Sequence, residues 1–506
     1  MFTIRKEEIT DNYVKISLKL FLVNLFVYSS LIIFALPHLS IDSYGALKGG
    51  LNGHCIQWIG CYRYFGALVC KIWFMLGNNP ILNPTMDCIV FIIIVAFSSA
   101  TLVFFLYKYF LSKSSIKKYD LNSLIIINLC VVISIYNVWF INILTFPECI
   151  FGCAIGVLLC HLAIVFYFTI RSYNKILSAI LLICSMAVFQ QFLIIFIFYV
   201  FIFHHINCLD NYDIDSLKNE VNWYSKCFAF ILGCCIVYFV LGKLVQLQMG
   251  VNQNSRVALD IHIILKNIKY FIRHQHSFLK GRGYFSSEIL TCCYLASAAI
   301  WGGMLLLYTI KFRKYLRSFI LFLSCTVAYF SSYGMGIIST SRGVRTMCGL
   351  FSTFALVSIM SLQISHILKK YNIRYAITVI VVLVFSMNVF KCTEMAHIQI
   401  KTNANEKMIA QFMQHRIMEY EEMNCTKINI ICISQDSHQD LFKTQSALVV
   451  PYALRGLMYN VTGRNFIVKI MDENERKNIF LNKEWDVLKP EEQIVFKNET
   501  MYISIY

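Results

Sequence analysis

Nine apolar runs, each long enough to cross a bilayer, dictate the fold class of this 506-residue chain. A helix needs roughly 17 to 25 apolar residues to span the hydrocarbon core. Such runs lie at 18–37, 88–111, 121–143, 149–170, 226–248, 286–310, 318–337, 346–368 and 375–391. In lipid every backbone N–H and C=O has to be bonded within the segment, so runs of this length form helices. The sequence therefore predicts an all-α polytopic membrane protein of about nine transmembrane helices.

A tenth run, 176–204, is broken by the polar pair Gln190-Gln191. Basic clusters decide how to count it, because short cytoplasmic loops collect Lys and Arg. Arg5, Lys6, Lys15 and Lys19 place the N-terminus inside, and Lys113, Lys117 and Lys118, then Arg171 and Lys175, fit two more inside loops. A single crossing at 176–204 would put both Lys311/Arg313/Lys314/Arg317 and Lys369/Lys370/Arg374 outside. If the chain instead turns back at the glutamines, both clusters are inside and everything after residue 391 is outside. We read 176–204 as re-entrant, a path tolerated where the turn is buried in protein or lines a cavity. One exception remains, a basic external loop at 249–285.

The division is thus 1–391 for the membrane part and 392–506 for an external domain. Pro37, Pro80, Pro84 and Pro147 fall in or beside external loops and Pro451 and Pro490 in the tail, leaving every span interior free of proline. The acidic and basic head before the first long span predicts no cleavable signal peptide. In the tail, Asn403 or Asn405 is positioned to cap a helix running to about Met423. Strands are expected at Ile428–Ile433, Asn465–Met471 and Met501–Tyr506, with helix near 438–457, giving a small α/β domain.

A net charge of +17 raises the question of nucleic acid, yet only 14% of residues are charged and 58% are hydrophobic. The basic residues lie mainly between apolar runs, where they orient a membrane protein, so no nucleic-acid partner is expected. Most of the 20 Cys lie inside apolar runs, and no spacing resembles a metal site or a disulfide framework.

The first external loop carries the chemistry. Ser40-Ile41-Asp42-Ser43-Tyr44 is followed by Trp58-Ile59-Gly60-Cys61-Tyr62-Arg63-Tyr64. A carboxylate at the lipid–water boundary beside an Arg and several rings suits sugar transfer from a lipid phosphate. That reaction needs a base for the acceptor hydroxyl, cations for the departing phosphate and aromatic faces for sugar rings. Asp42 is the candidate base, or else a solvated loop acid. Segment 56–76, with Trp58, Tyr62, Tyr64, Phe65 and Trp73, suits an interfacial helix or an aromatic belt. Glu148, in a short loop, is a second catalytic candidate: it either faces the same cavity as a base or acceptor-binding group or caps the following helix. Arg342 and Arg345 sit on an external turn that opposes the orientation rule; they either grip a lipid phosphate with their planar forks or anchor headgroups. Arg282 is a third cationic candidate, and Gln190 and Gln191 either bind sugar hydroxyls or bond neighbouring helices.

On these features the sequence resembles the phage-encoded serotype-converting O-antigen glucosyltransferases of enteric bacteria, within the GT-C class of membrane glycosyltransferases. The carrying residues are Asp42-Ser43-Tyr44, Trp58 with Arg63-Tyr64, the Gln190-Gln191 turn, Arg342 and Arg345, and the external C-terminal domain. A second acid often precedes the aspartate in that family and a glycine the arginine; here Ile41 and Tyr62 stand in those places. Asp42 is then the one base candidate in the motif. The resemblance implies transfer of glucose from undecaprenyl phosphate glucose to a sugar of lipid-linked O-antigen, on the periplasmic side of a bacterial inner membrane. It implies inversion from a β-linked donor to an α-linked product, with no cofactor, nucleotide or metal. Two rivals are a polysaccharide flippase and an O-antigen polymerase or ligase. A flippase normally carries ionisable groups deep within its spans, whereas the acids here lie near span ends. A polymerase or ligase normally concentrates external mass between spans rather than at the C-terminus.

Overall fold

The computed structural model describes residues 11–113, 120–169, 172–210, 217–252, 260–279, 287–338, 349–434, 446–481, 483, 485 and 489–504. Among these, nine helices are long and apolar enough to cross a membrane, from Lys15–Ala35 to Tyr371–Asn424; they include Phe192–Leu209, from the run expected to be re-entrant, and not Tyr315–Ser331, the 17-residue helix found where a span was expected at 318–337. Their ends can be followed by hydrogen bonds that tie distant helices together. At one end Asp120 lies 3.3 Å from His366 and 3.7 Å from Arg374. Tyr308 Oη also donates there to Leu209 O, and Gln363 Nε2 to Ile206 O. At the opposite end His38 Nε2 bonds Leu144 O at 2.8 Å, and Gln399 and Asn403 donate to Leu39 O. Lys311, Lys314, Arg317, Lys369, Lys370 and Arg374 all flank chain reversals at the first end, which we call the basic end.

The run 176–204 folds as a re-entrant hairpin against helix Pro147–Tyr167. Helix Ser172–Met186 climbs antiparallel to it, with Ser178 Oγ donating to Ala163 O and Ser185 Oγ to Gly156 O. The chain turns at 187–191 and helix Phe192–Asp210 descends alongside. Phe192 O accepts from Cys160 Sγ, and Phe203 stacks on Phe168 at 4.6 Å. A Cβ on Gly156 would fall 2.3 Å from the Phe192 ring, so glycine is what lets the two descending helices touch. The polar groups of this largely buried turn find protein partners: Ala187 O accepts from Gly66 N, and Gln190 Nε2 donates to Cys61 O and Tyr238 Oη. That satisfaction is what allows irregular backbone at membrane depth.

The loop expected to break the orientation rule contains helix Ile261–Arg273, docked at the end opposite the basic one through Asn267 Nδ2 on Ile337 O. Its Lys266, Lys269 and Arg273 are exposed. Segment 56–76 is not one interfacial helix. It is divided between helix Ile41–Gly60 and helix Tyr64–Met75, because Tyr62 takes a left-handed φ of 62°.

The last span does not end at the membrane. Helix Tyr371–Asn424 runs 54 residues without interruption, about 80 Å at 1.5 Å per residue. The expected cap at Asn403 or Asn405 is therefore absent. Asn403 instead bonds Leu39 through both side-chain atoms and donates to Glu406. Beyond it lies a four-stranded sheet, β1 Ile430–Ile433, β2 Ile467–Ile470, β3 Ile494–Lys497 and β4 Thr500–Ile503, in the order β2-β1-β4-β3. β1 pairs parallel with β2 and β4, and β3 pairs antiparallel with β4. The sequence anticipated three of these strands within a few residues and missed β3. The expected helix near 438–457 is Pro451–Thr462, with Pro at its first turn and Gly463 at φ 69° closing it; residues 435–445 lie outside the described set. This helix crosses over between the parallel strands β1 and β2, as parallel pairing requires. Its core includes Met413, Ile417, Ile431, Leu454, Leu457 and Met501, and one residue from the first loop, Tyr44.

Candidate active site

The first-loop helix, Ile41–Gly60, begins with a reciprocal cap. Ser40 Oγ accepts from Ser43 N and Ser43 Oγ accepts from Ser40 N, both at 3.1 Å. Such a box fixes the first helical turn and with it Asp42, whose charge is also favoured near a helix N-terminus. Ser43 Oγ donates in turn to Glu148 Oε2 at 2.7 Å. Glu148 stands in the first turn of helix Pro147–Tyr167, so the two acids expected to share a region are joined through one serine.

Glu148 is buried, and its Oε1 lies 3.6 Å from Nε2 of His54, whose side chain is also buried. Neither atom has a hydrogen-bond partner. The His54 ring rests edge-on against Trp58, with centroids 4.8 Å apart. Asp42 is half-buried, and its Oδ1 accepts from Tyr452 Oη at 2.8 Å. A cleft of 240 Å³ opens beside it, lined by Asp42, His54, Gln57 and Tyr452 among others. Gly50 and Gly53 also line it, and a Cβ at either would meet nothing within 4 Å. Gly50 has φ 70°, which kinks the helix where it borders the cleft.

Arg63 lies half-buried past the end of this helix, its guanidinium 5.1 Å from the centre of the Phe189 ring and its Nε buried without a hydrogen-bond partner. Tyr64 stacks on Tyr238 at 6.0 Å, and Gln190 binds the same Tyr238. Gln191 is buried in the re-entrant turn, its carbonyl accepting from Ile194 N. Tyr44 is turned away from the cleft: its Oη donates to Glu406 Oε2 at 3.1 Å, and burial together with the nearby Glu406 charge pushes its phenol well above the ordinary range.

The structure thus gathers Asp42, Glu148 and Trp58 around one helix. It gathers Arg63, Tyr64 and Gln190 around the re-entrant turn that adjoins that helix through residues 58–63. Arg282, Arg342 and Arg345 lie outside the described residues. Sequence reasoning missed His54 and Gln57, whose signal was their place on the same helix as Asp42. It also missed Tyr452, for which a separation of 410 residues left no signal at all.

A family model described as Glucosyl transferase GtrII matches residues 31–362, more than half of the chain. The matched stretch contains Asp42, His54, Arg63, Glu148 and Gln190, and stops before the long stem helix. No curated protein and no solved structure matches the chain.

Proposed function

Because the chain belongs to the GtrII glucosyl transferase family, we propose that it moves glucose from undecaprenyl phosphate glucose to a sugar of lipid-linked O-antigen. The transfer takes place at the periplasmic face of a bacterial inner membrane, and serotype conversion is its outcome. Orientation follows from the basic end: short loops rich in Lys and Arg face the cytoplasm, which leaves the cleft and the C-terminal domain outside.

The observation that carries the reading is Asp42 on a cleft at the opposite end from the basic clusters, beside helices that enter the membrane. The acceptor hydroxyl enters the cleft and gives its proton to the Asp42 carboxylate. Its oxygen attacks the anomeric carbon from the face opposite the phosphate, and the carbon–oxygen bond to phosphate breaks with its electron pair leaving on the polyprenyl phosphate. The anomeric centre inverts. Arg342 and Arg345 receive the developing phosphate charge with bidentate hydrogen bonds, and Arg63 adds a third cation near the re-entrant turn. The sugar ring rests against the aromatic group of Trp58 and Tyr64. Glu148 lies behind Ser43 and His54 rather than on the cleft, so its part is to hold those two side chains.

The test is Asp42→Asn in the full-length protein, followed by transfer of labelled glucose from polyprenyl phosphate glucose into lipid-linked acceptor in membranes. Loss of a general base costs about 10²- to 10⁴-fold. Near-normal transfer at normal protein level removes Asp42 from the mechanism.

A further inference from the structure

The C-terminal domain has no assigned part in the reaction, and it lies beyond the stretch shared with the family. We propose that it completes the catalytic site, with Tyr452 as a positioning residue that holds the Asp42 carboxylate. This rests on Asp42 being the base.

Three attachments fix Tyr452. The first is backbone packing: Gly456, one turn further along the same helix, presses on the first-loop helix so closely that a Cβ would fall 1.8 Å from Tyr44 O. Residues four apart share a helix face, so the face that carries Gly456 also carries Tyr452. The second is the ring itself, whose Cδ2 is 3.2 Å from where a Gly45 Cβ would sit. The third is Glu406 on the stem. This one buried carboxylate accepts from Tyr44 Oη, Asn403 Nδ2, Ser446 Oγ and Ala447 N. It therefore ties the first loop, the stem and the segment leading into helix Pro451–Thr462 to a single point.

The consequence for Asp42 is geometric. A carboxylate in a half-exposed cleft rotates among solvated rotamers unless a neighbour holds it, and proton abstraction needs it within hydrogen-bond reach of the acceptor. The Tyr452 hydroxyl donates to Oδ1, so Oδ2 is presented to the acceptor hydroxyl. Tyr452 also walls the cleft that the acceptor sugar occupies. The membrane part thereby supplies the base and the soluble domain supplies its orientation.

The test compares Tyr452→Phe, Asp42→Asn and the double variant in membranes, using labelled glucose transfer, with protease cleavage of the stem as the measure of docking. Tyr452→Phe keeps the ring packing and removes the hydroxyl alone. The expected result is a fall in kcat of tenfold or more with KM for the lipid donor unchanged, an unchanged cleavage pattern, and no further loss when the change is added to Asp42→Asn. Wild-type kcat in Tyr452→Phe, with Asp42→Asn inactive, overturns the role of Tyr452 and leaves the base standing. An active Asp42→Asn overturns the base, and the positioning role with it. Independent, additive losses, or a newly cleaved stem, make Tyr452 a docking residue only and also overturn the proposal.

Discussion

Gly456 and the carbonyl of Tyr44 meet with no room for a side chain between them: a Cβ on Gly456 would lie 1.8 Å from Tyr44 O. The contact joins the crossover helix of the C-terminal domain to the first turns of the first-loop helix, the two elements that border the cleft. Gly456→Ala is expected to force them apart. Overpacking of this kind costs about 1 to 3 kcal/mol, here spent on docking rather than on the core of either part. Limited proteolysis in detergent should show new cleavage in the C-terminal domain, and glucose transfer should fall. Unchanged proteolysis and transfer would mean that the helices separate without consequence.

Asp42 and Glu148 should separate cleanly on substitution by their amides. Glu148→Gln keeps an acceptor for the Ser43 hydroxyl and a group of the same size, so transfer should stay above about a tenth of the wild-type rate. Asp42→Asn should lose about a hundredfold or more. The reverse pattern would move the base to Glu148. Glu148→Leu should lower the amount of folded protein, because burying the Ser43 hydroxyl without its acceptor costs about 1 to 3 kcal/mol.

For Arg342 and Arg345, lysine keeps the charge and loses the planar fork. Either Arg→Lys change is expected to lower transfer from the lipid donor at least tenfold, about 1.4 kcal/mol in the barrier. Full activity in both variants would reduce these residues to headgroup anchors and move phosphate binding toward Arg63 or Arg282.

Topology can be checked directly. Met395 lies at the cleft end, where its sulfur accepts from Asn142 Nδ2, and Lys314 lies at the basic end. A reporter active only in the periplasm should be active when fused after Met395 and inactive when fused at Lys314. The opposite result would invert the orientation.

The sequence by itself determined the membrane class, eight of the nine expected crossings and the hairpin at 176–204. Apolar length and the charge of loops are local properties: a run too short or a cluster on the wrong side carries its own penalty, whatever packs against it. For the same reason Asp42 was legible beside its motif, and three of the four strands in the tail were legible from their β-branched runs. Strand β3 escaped because Ile494–Lys497 follows directly on an acidic turn of helix and gains its pairing only from β4.

The tertiary structure decided everything that depends on two distant segments meeting. Asn403 and Asn405 looked like helix caps because an Asn before an amphipathic stretch satisfies free N–H groups. In the fold the helix continues through both, and Asn403 bonds Leu39 and Glu406 instead. His54 reached Glu148 only because the first-loop helix packs on helix Pro147–Tyr167, and Tyr452 reached Asp42 only because Gly456 allows the C-terminal domain to seat against the first loop. Such contacts leave no periodicity in the chain, since their cost and their benefit are realised only when both surfaces are already formed.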